Sequence, residues 1–197
     1  MKITRTIQKD IKEQQERFVT GDIIAFDLND GEKVEALAVK QNGDNMIFCL
    51  VDCLKDEYPM NDRSTNKGGY EASKLRSTLR DVILPRFPAE ITEKMVPFEN
   101  GDLLRLPTEK EIFGRNCFGL DEPEEVTQWE PMKLRRNRIA FHGHNGDWEW
   151  YWLQNPALRD VVSAAGFATV RSYGSAAYSY ASSSWVGVCP AFQIPNP

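Results

Sequence analysis

The fold is decided by the segment Asp147-Trp-Glu-Trp-Tyr-Trp-Leu-Gln-Asn-Pro156 and by two segments that follow it, Ala165-Gly-Phe-Ala-Thr-Val170 and Trp185-Val-Gly-Val-Cys-Pro-Ala-Phe192. All three are rich in apolar and aromatic side chains, which is typical of half-buried β-strands. We expect strands at about residues 147–154, 167–172 and 185–194. The pattern indicates a rigid scaffold around the run between the last two strands.

That intervening run, residues 171–184, begins with arginine and otherwise contains only Ser, Tyr, Gly and Ala. Tyrosine supplies a large amphipathic contact area at low entropic cost, and Ser and Gly supply adaptable hydrogen bonds. We therefore predict a loop that displays a non-catalytic binding surface for a protein or glycan ligand. Its predicted ligand-binding residues are Arg171, Tyr173, Ser175, Tyr178, Ser179, Tyr180, Ser182, Ser184 and Trp185. The predicted scaffold residues are Phe167, Val170, Val188 and Phe192.

The same segments resemble a family of largely uncharacterised bacterial and phage domains with a C-type-lectin-like fold. Members carry an aromatic segment of the type WWLRSP, a short strand, a Gly-rich variable stretch and a closing GVRPAF strand. The matching segments here are Tyr151-Trp-Leu-Gln-Asn-Pro156, Phe167-Ala-Thr-Val170 and Gly187-Val-Cys-Pro-Ala-Phe192. The chain departs from the pattern at Gln154, Asn155 and Cys189, so roles tied to the usual residues are not carried over.

The resemblance extends over roughly residues 20–195 and implies the fold class. That class is α+β, a C-type-lectin-like (formylglycine-generating-enzyme-like) fold with small antiparallel sheets, helices and long loops. Some relatives resemble the variable proteins of diversity-generating retroelements, in which adenine-directed mutagenesis alters a C-terminal stretch. Mutated Asn codons can encode the Ser, Tyr, Gly and Ala that make up residues 172–184. An ordinary loop composition explains these residues equally well.

The chain divides into a short extension and one domain. Residues 1–19 place Ile3, Ile7, Ile11 and Phe18 close to every fourth position, which predicts an amphipathic helix. That helix could pack on the domain or join two copies into a homo-oligomer. Residues 20–197 form the lectin-like domain, with its binding region at about residues 147–190.

Turn and capping signals organise the rest of the domain. Asn29-Asp-Gly31 and Asn42-Gly43 predict tight turns within a three-stranded meander. We expect its strands at residues 22–28, 34–40 and 46–54. A helix is expected at 72–84, where the apolar residues Leu75, Leu79, Val82 and Ile83 share one face. Two further helices are expected, one after Pro88 and one after the capping box 108–111. A short strand is expected at 103–106, and an ordered irregular loop at 114–146.

Composition narrows the classes of partner. The net charge of −5 argues against nucleic acid, which requires a basic footprint. No apolar stretch resembles a signal peptide or a membrane span, so we expect no membrane partner and a cytoplasmic or virion-associated protein. The four cysteines show no zinc-type spacing, and Cys49 and Cys53 fall in an apolar run where buried, reduced thiols are expected.

Several residues allow more than one interpretation. Trp148, Trp150 and Trp152 alternate along a predicted strand, which favours core packing over a sugar-stacking platform. His142, His144, Asp147 and Glu149 could ligate a metal, but no complete ligand set is specified, so we expect no metal and no cofactor. The basic strip 133–138 is either neutralised by nearby acids or an anion-binding patch.

No sequence motif supports an enzyme. The chain lacks nucleophile-elbow, P-loop, dinucleotide-binding and zincin motifs. Thiol or copper chemistry like that of the formylglycine-generating enzyme would require Cys117 and Cys189 to converge. The alternative function is a structural or assembly component of a phage or mobile element.

Overall fold

The computed structural model describes residues 17–158 and 165–196. Residues 1–16 of the predicted N-terminal helix therefore lie outside the described residues. Phe18 follows them in an irregular segment and packs edge-on against Phe48, with ring centroids 5.2 Å apart. The Phe18 N–H donates to Asn196 Oδ1 over 2.7 Å, and Asn196 Nδ2 donates to the Phe18 carbonyl over 3.0 Å. The start of the domain is thus tied to its end.

A four-stranded antiparallel sheet forms one half of the domain. The predicted meander is confirmed as β1 (Ile23–Asp27), β2 (Lys33–Asn42) and β3 (Asn45–Leu50). The last strand of the chain, β9 (Ala191–Pro195), pairs with β3 and gives the order β1-β2-β3-β9. Register Asn42↔Asn45 leaves Gly43 and Asp44 as a two-residue turn, and Gly43 has the positive φ of 57° that such turns require.

Both faces of this sheet are buried, which explains the continuous apolar run of β3. Met46 and Phe48 pack into one core cluster with the helices, while Ile47 and Cys49 pack into a second cluster on the opposite face. A strand covered on both sides has no polar alternation to show. Phe167 and Phe192 lie in the first cluster, and both are fully buried, as predicted for scaffold residues. The other two predicted scaffold residues, Val170 and Val188, are also fully buried.

The helices are short. Helix α1 (Lys74–Thr78) continues through a π-helical turn (Leu79–Ile83) into a 3₁₀ turn (Leu84–Arg86), so the helix predicted at 72–84 is confirmed with irregular geometry. Val82 was predicted on its buried face but is exposed, because the wider turn rotates it outward. Other helical segments are α2 (Ala89–Thr92), α3 (Glu109–Phe113) and the 3₁₀ turns at Tyr70–Ala72, Glu130–Lys133 and Arg135–Arg138. The capping box of α3 is confirmed at Thr108 and Glu111.

The C-terminal strands differ most from the sequence-based expectation. The strand expected at 147–154 is divided into β5 (Trp148–Glu149), which pairs with β4 (Ala140–Phe141), and β6 (Tyr151–Pro156). The division falls at Trp150, whose N–H donates to the Glu149 side chain over 2.7 Å instead of to a neighbouring strand.

A second correction concerns the predicted loop at 171–184. Its centre is a strand, β8 (Ala176–Tyr180), which pairs with β7 (Gly166–Val170) in the antiparallel sheet β6-β7-β8. The strand expected at 185–194 is present only as β9, and residues 103–106 contribute only a bridge from Arg105 to Ala191.

The predicted α+β class is confirmed at the level of architecture. Short helices surround three sheets whose strand pairings are all antiparallel. Over the described part of the chain, no helix combines the length and the apolar character that crossing a membrane requires.

Candidate functional site: an arginine–aromatic surface

Strand β8 presents tyrosines to solvent at the edge of its sheet. Along the strand, Ala177 and Ser179 are buried while Tyr178 and Tyr180 are exposed, which is the alternation of a half-buried strand. The Tyr178 ring contacts Phe118, with centroids 5.5 Å apart. We call Tyr178 and Tyr180 the tyrosine face. Sequence composition identified both residues, although it predicted a loop.

Not every predicted binding residue lies on the outer surface. Ser179 is buried and donates its hydroxyl hydrogen bond to Ser183 over 2.9 Å, so the expectation that it contacts a ligand is corrected. The cause is the strand itself, because period 2 turns every second side chain inward. Ser182 is exposed but its hydroxyl pairs with that of Ser64 at 2.6 Å. Ser184 is exposed beside Trp185.

The turn that precedes β8 is fixed in place. Gly174 N–H donates to the Arg171 carbonyl over 2.7 Å, and Arg171 N–H donates to the Ser175 carbonyl over 2.8 Å. Arg135 Nε donates to the Tyr173 carbonyl over 2.8 Å. Gly174 has φ of 75°, and a Cβ there would approach the Arg135 carbonyl oxygen to 2.8 Å, so a side chain at this position would be strained. Tyr173 is therefore displayed from a rigid turn.

Aromatic rings and guanidinium groups continue from this turn across the surface. Arg171 Nη1 donates to Tyr173 Oη over 2.7 Å, and its guanidinium lies 5.2 Å from the Trp150 ring centroid. Trp150 in turn packs edge-on against exposed Trp185, with centroids 5.3 Å apart. Such cation–π contacts hold the side chains in one arrangement. We call these four residues, Trp150, Arg171, Tyr173 and Trp185, the aromatic ridge.

Beside the ridge lies a groove of about 250 Å³. Its cationic lining residues are Arg115, Arg135 and Arg138, and we call it the arginine groove. Phe113, Cys117, Gly174, Ser175 and Ala176 complete its lining. The predicted binding residue Ser175 thus faces the groove. The sequence raised Arg135 and Arg138 only as part of the basic strip 133–138, and Arg115 was not considered.

In the described part of the chain, the groove arginines have no carboxylate partner. Among residues 17–158 and 165–196, Lys133 pairs with Glu130, but none of Arg115, Arg135 and Arg138 forms an ion pair. Burial lowers the pKa of Arg138, and the charge of Arg135 lowers it further. Arg138 Nε is buried and has no hydrogen-bond acceptor among these residues. Of the two interpretations of the basic strip 133–138, this geometry favours an anion-binding patch over self-neutralisation.

Buried polar side chains hold the irregular loop that carries Arg115 and Cys117. The Glu109 carboxylate, which is fully buried, accepts hydrogen bonds from the N–H groups of Cys117 (3.1 Å), Phe118 (3.0 Å) and Gly119 (2.8 Å). Asn155 Oδ1 accepts from the Glu109 N–H over 2.7 Å. Asn155, a departure from the family pattern, therefore has a structural role.

The three tryptophans of residues 148–152 do not share one environment. Trp152 is fully buried and Trp150 is half-buried, whereas Trp148 is 71% exposed. The prediction that all three pack in the core is therefore wrong, because the strand is interrupted at Trp150. Trp152 has the predicted role, and its Nε1 donates to the Tyr58 carbonyl over 2.8 Å. Half-buried Trp150 packs against the same core cluster, so the expectation fails for Trp148.

The cysteines converge in a different pair from the one considered. Cys189 Sγ lies 2.6 Å from Cys53 Sγ, whereas Cys117 lines the arginine groove. Burial raises the pKa of both Cys53 and Cys189, which disfavours a nucleophilic thiolate. Cys49 is also buried, so the burial expected of Cys49 and Cys53 is confirmed, whereas their reduced state stays a prediction.

A separate cluster contains metal-ligand side chains. Glu57, His142 and Glu149 offer donor atoms that all lie within 4.8 Å of one another. His144 and Asp147, which the sequence placed beside them as candidates, do not belong to the cluster. Glu57 was not considered because it lies far away in sequence.

Comparison with known proteins gives a family but no activity. The sequence model of a family described as "Domain of unknown function (DUF6273)" matches residues 42–196, which is most of the chain. No curated protein and no solved structure matches the chain significantly.

Proposed function

The chain belongs to the DUF6273 family, and we propose that it is a non-catalytic binding module that recognises acidic groups on a protein or glycan ligand. The ligand would lie across the arginine groove, the aromatic ridge and the tyrosine face. Carboxylate, sulfate and phosphate groups share the geometry that guanidinium groups bind with two parallel hydrogen bonds.

The observation that carries the proposal is that no described carboxylate pairs with Arg115, Arg135 or Arg138. A buried charge without a partner costs stability, so proteins normally pair such groups. Arg138 is half-buried, stands near Arg135 of like charge and has no carboxylate partner among the described residues. An acidic ligand group in the groove would supply the missing partner. The overall charge of −5 and the small groove suit one acidic group better than a nucleic-acid backbone.

The aromatic residues would provide contact area next to that charge. Exposed Tyr and Trp side chains with restrained rings lose little entropy on binding. Tyr173 and Trp185 are exposed, and their neighbours Arg171 and Trp150 restrain them. The flat faces of such rings suit the apolar side of a sugar or a peptide side chain. The residues predicted from sequence at 171, 173, 178, 180 and 185 thus supply the rim of the surface.

We also propose the more specific features that the family resemblance implies. A C-type-lectin-like fold and a phage or retroelement origin would fit a scaffold that displays one variable surface. If the stretch is diversified, variation should concentrate at exposed Tyr173, Tyr178 and Tyr180 and spare buried Ala177 and Ala181. Sequencing the flanking DNA would test this. A near-copy of the codons for residues 147–197, differing only at adenines and lying beside a reverse transcriptase gene, would support it.

Binding is tested with arrays of sialylated, sulfated and neutral glycans and of acidic and neutral peptides. We expect the protein to retain acidic probes, with retention falling as salt rises. Arg115→Ala and Arg138→Ala should each weaken retention about tenfold, the order of one charge-assisted hydrogen bond. Arg136→Ala is the matched control, because Arg136 is exposed in the same 3₁₀ turn but does not line the groove. Retention of neutral probes only, or an equal loss in Arg136→Ala, would contradict the proposal.

A further inference from the structure

Three potential metal ligands from distant parts of the sequence meet beside strand β5. His142 Nδ1 lies 3.3 Å from Glu149 Oε2 and 3.6 Å from Glu57 Oε1. Ligands that surround a zinc ion tetrahedrally at about 2.1 Å are separated by about 3.4 Å. The two spacings from the imidazole nitrogen are therefore those of ligands around one ion. This cluster is separate from the arginine groove, so the inference does not rest on the proposed function.

Backbone hydrogen bonds hold His142 and Glu149 on the same face of the β4–β5 hairpin, as diagonal neighbours. Strands β4 and β5 pair Ala140 with Glu149, and the His142 N–H donates to the Asp147 carbonyl over 2.8 Å at the end of the hairpin. A Cβ on Gly146 would lie 2.0 Å from the His142 carbonyl oxygen, so the turn needs glycine there. Glu149 Oε1 accepts from the Trp150 N–H, which leaves Oε2 directed at the imidazole. The pair is arranged before any ligand binds.

Glu57 is positioned from the other side by the buried core. The carbonyl of the next residue, Tyr58, accepts the hydrogen bond from fully buried Trp152. The preceding segment is fixed at Cys53, whose N–H donates to the Phe141 carbonyl and whose carbonyl accepts from Gly143, both over 2.9 Å. The segments that carry Glu57 and His142 are therefore joined directly.

Two carboxylates so close together are unfavourable without a cation. Glu149 is buried, and only 10% of its side chain is exposed. The carboxylates of Glu57 and Glu149 each offer an oxygen, and these atoms lie within 4.8 Å of each other. One imidazole can neutralise at most one of the two carboxylates, whereas a divalent ion neutralises both and coordinates the neutral imidazole.

We propose that Glu57, His142 and Glu149 bind one divalent transition-metal ion, with Zn²⁺ as the best fit. One nitrogen and two carboxylate oxygens suit zinc better than Mg²⁺ or Ca²⁺, which prefer oxygen ligands only. Glu57 and His142 are about one-third exposed, so the ion would keep a coordination position open to solvent. Three protein ligands with one open position is the arrangement of zinc sites that bind an exchangeable water or ligand group.

The nearby thiols are a different potential zinc site and must be distinguished. A Cβ on Gly187 would lie 2.7 Å from both Cys53 Sγ and Glu149 Cγ, so the two side chains flank the same glycine. Cys53 Sγ, however, is directed at Cys189 Sγ. The proposed ligand set is therefore nitrogen and oxygen, without sulfur.

The test is titration of chelator-treated full-length protein with Zn²⁺, followed by calorimetry and thermal unfolding. We expect one equivalent to bind and to raise the melting temperature, because an ion that binds only the folded state stabilises it. Glu57→Gln, His142→Ala and Glu149→Gln should each weaken binding by about tenfold or more, since even outer-shell changes have effects of about that size. His144→Ala is the matched control, because exposed His144 lies outside the cluster.

Cobalt(II) substitution identifies the ligand atoms. We expect visible d–d absorption without the intense near-ultraviolet band of cobalt–thiolate charge transfer. A thiolate band that disappears in Cys53→Ser would overturn the proposal in favour of the cysteines. So would the absence of zinc binding by the wild type, or equal losses in His144→Ala and His142→Ala. The Glu57 side chain is about one-third exposed. The melting temperature of the metal-free Glu57→Gln variant therefore shows whether its weaker binding reflects misfolding.

Discussion

Arg105 and Arg138 each stack on a phenylalanine ring, yet their surroundings differ. Arg105 is buried and donates to both oxygens of Glu111 over 2.7 and 2.6 Å, and it also stacks on Phe98 at 4.4 Å. Arg138 stacks on Phe113 at 5.3 Å but has no carboxylate partner in the described part of the chain. The difference separates an arginine whose charge is paired within the fold from one whose charge no described carboxylate balances, and we propose the second for ligand binding.

The largest effect should follow from breaking the paired arginine. Glu111→Ala leaves the Arg105 charge buried without a partner and removes half of the capping box of α3, so we expect a loss of about 3–5 kcal/mol in the free energy of unfolding. Denaturant titration measures it. Glu130→Ala, which breaks only the exposed pair with Lys133, is the control and should cost less than about 1 kcal/mol. Similar losses in the free energy of unfolding of both variants would show that the ion pair between Arg105 and Glu111 does not stabilise the fold.

The next effect concerns the loop that carries the groove. Glu109→Gln replaces the carboxylate that accepts three backbone N–H groups with an amide that accepts them poorly, so we expect about 2–3 kcal/mol of destabilisation. Hydrogen exchange of Cys117, Phe118 and Gly119 should accelerate in this variant. Unchanged exchange there would show that the loop is held by other contacts.

Removing the unpaired arginine should have a small effect on stability. Arg138→Met keeps much of the apolar contact with Phe113 and removes a half-buried charge, so the free energy of unfolding should change by less than about 1 kcal/mol. Retention of acidic probes on the array should nevertheless fall about tenfold. A loss of stability as large as that of Glu111→Ala would mean that Arg138 is structural, and the comparison with Arg105 would fail.

The tyrosine face should matter for binding alone. Because Tyr178 and Tyr180 are exposed on an edge strand, Tyr178→Ala and Tyr180→Ala should weaken ligand binding while leaving the melting temperature nearly unchanged. Ala177→Tyr, one position away and directed into the core, is the contrasting variant and should unfold the sheet. A large drop in melting temperature for the exposed pair would place these rings in the core.

The sequence predicted the elements whose signals are local. The meander, the α3 capping box and the buried face of α1 follow from turn residues, caps and periodicity, and they were found near the expected positions. Strand β8 was missed because its composition of Ala, Tyr and Ser is also that of a loop. Only its pairing with β7 distinguishes this strand from a loop, and the composition of β8 alone does not reveal that pairing.

The sequence likewise predicted some residues of the candidate site and missed others. Residues on the rim, such as Tyr173 and Trp185, were identified from composition because exposed aromatic residues stand out in a polar run. Arg138 was considered only within the basic strip 133–138, and Arg115 was missed, since nothing local in the sequence places it beside that strip. Glu57 is 85 residues from His142 in the sequence, and only the fold brings the two together.

The smallest expected effect concerns a third arginine, Arg171, whose partner is a phenol. The hydrogen bond from Arg171 holds the pKa of Tyr173 below its ordinary value, whereas burial raises the pKa of Tyr58 and Tyr70. Arg171→Ala should therefore raise the pKa of Tyr173, which ultraviolet difference titration of tyrosinate measures. Tyr173→Phe identifies the signal among the six tyrosines. An unchanged titration in Arg171→Ala would show that the two side chains are not held together in solution, and Arg171 would then be as free for a ligand as Arg138.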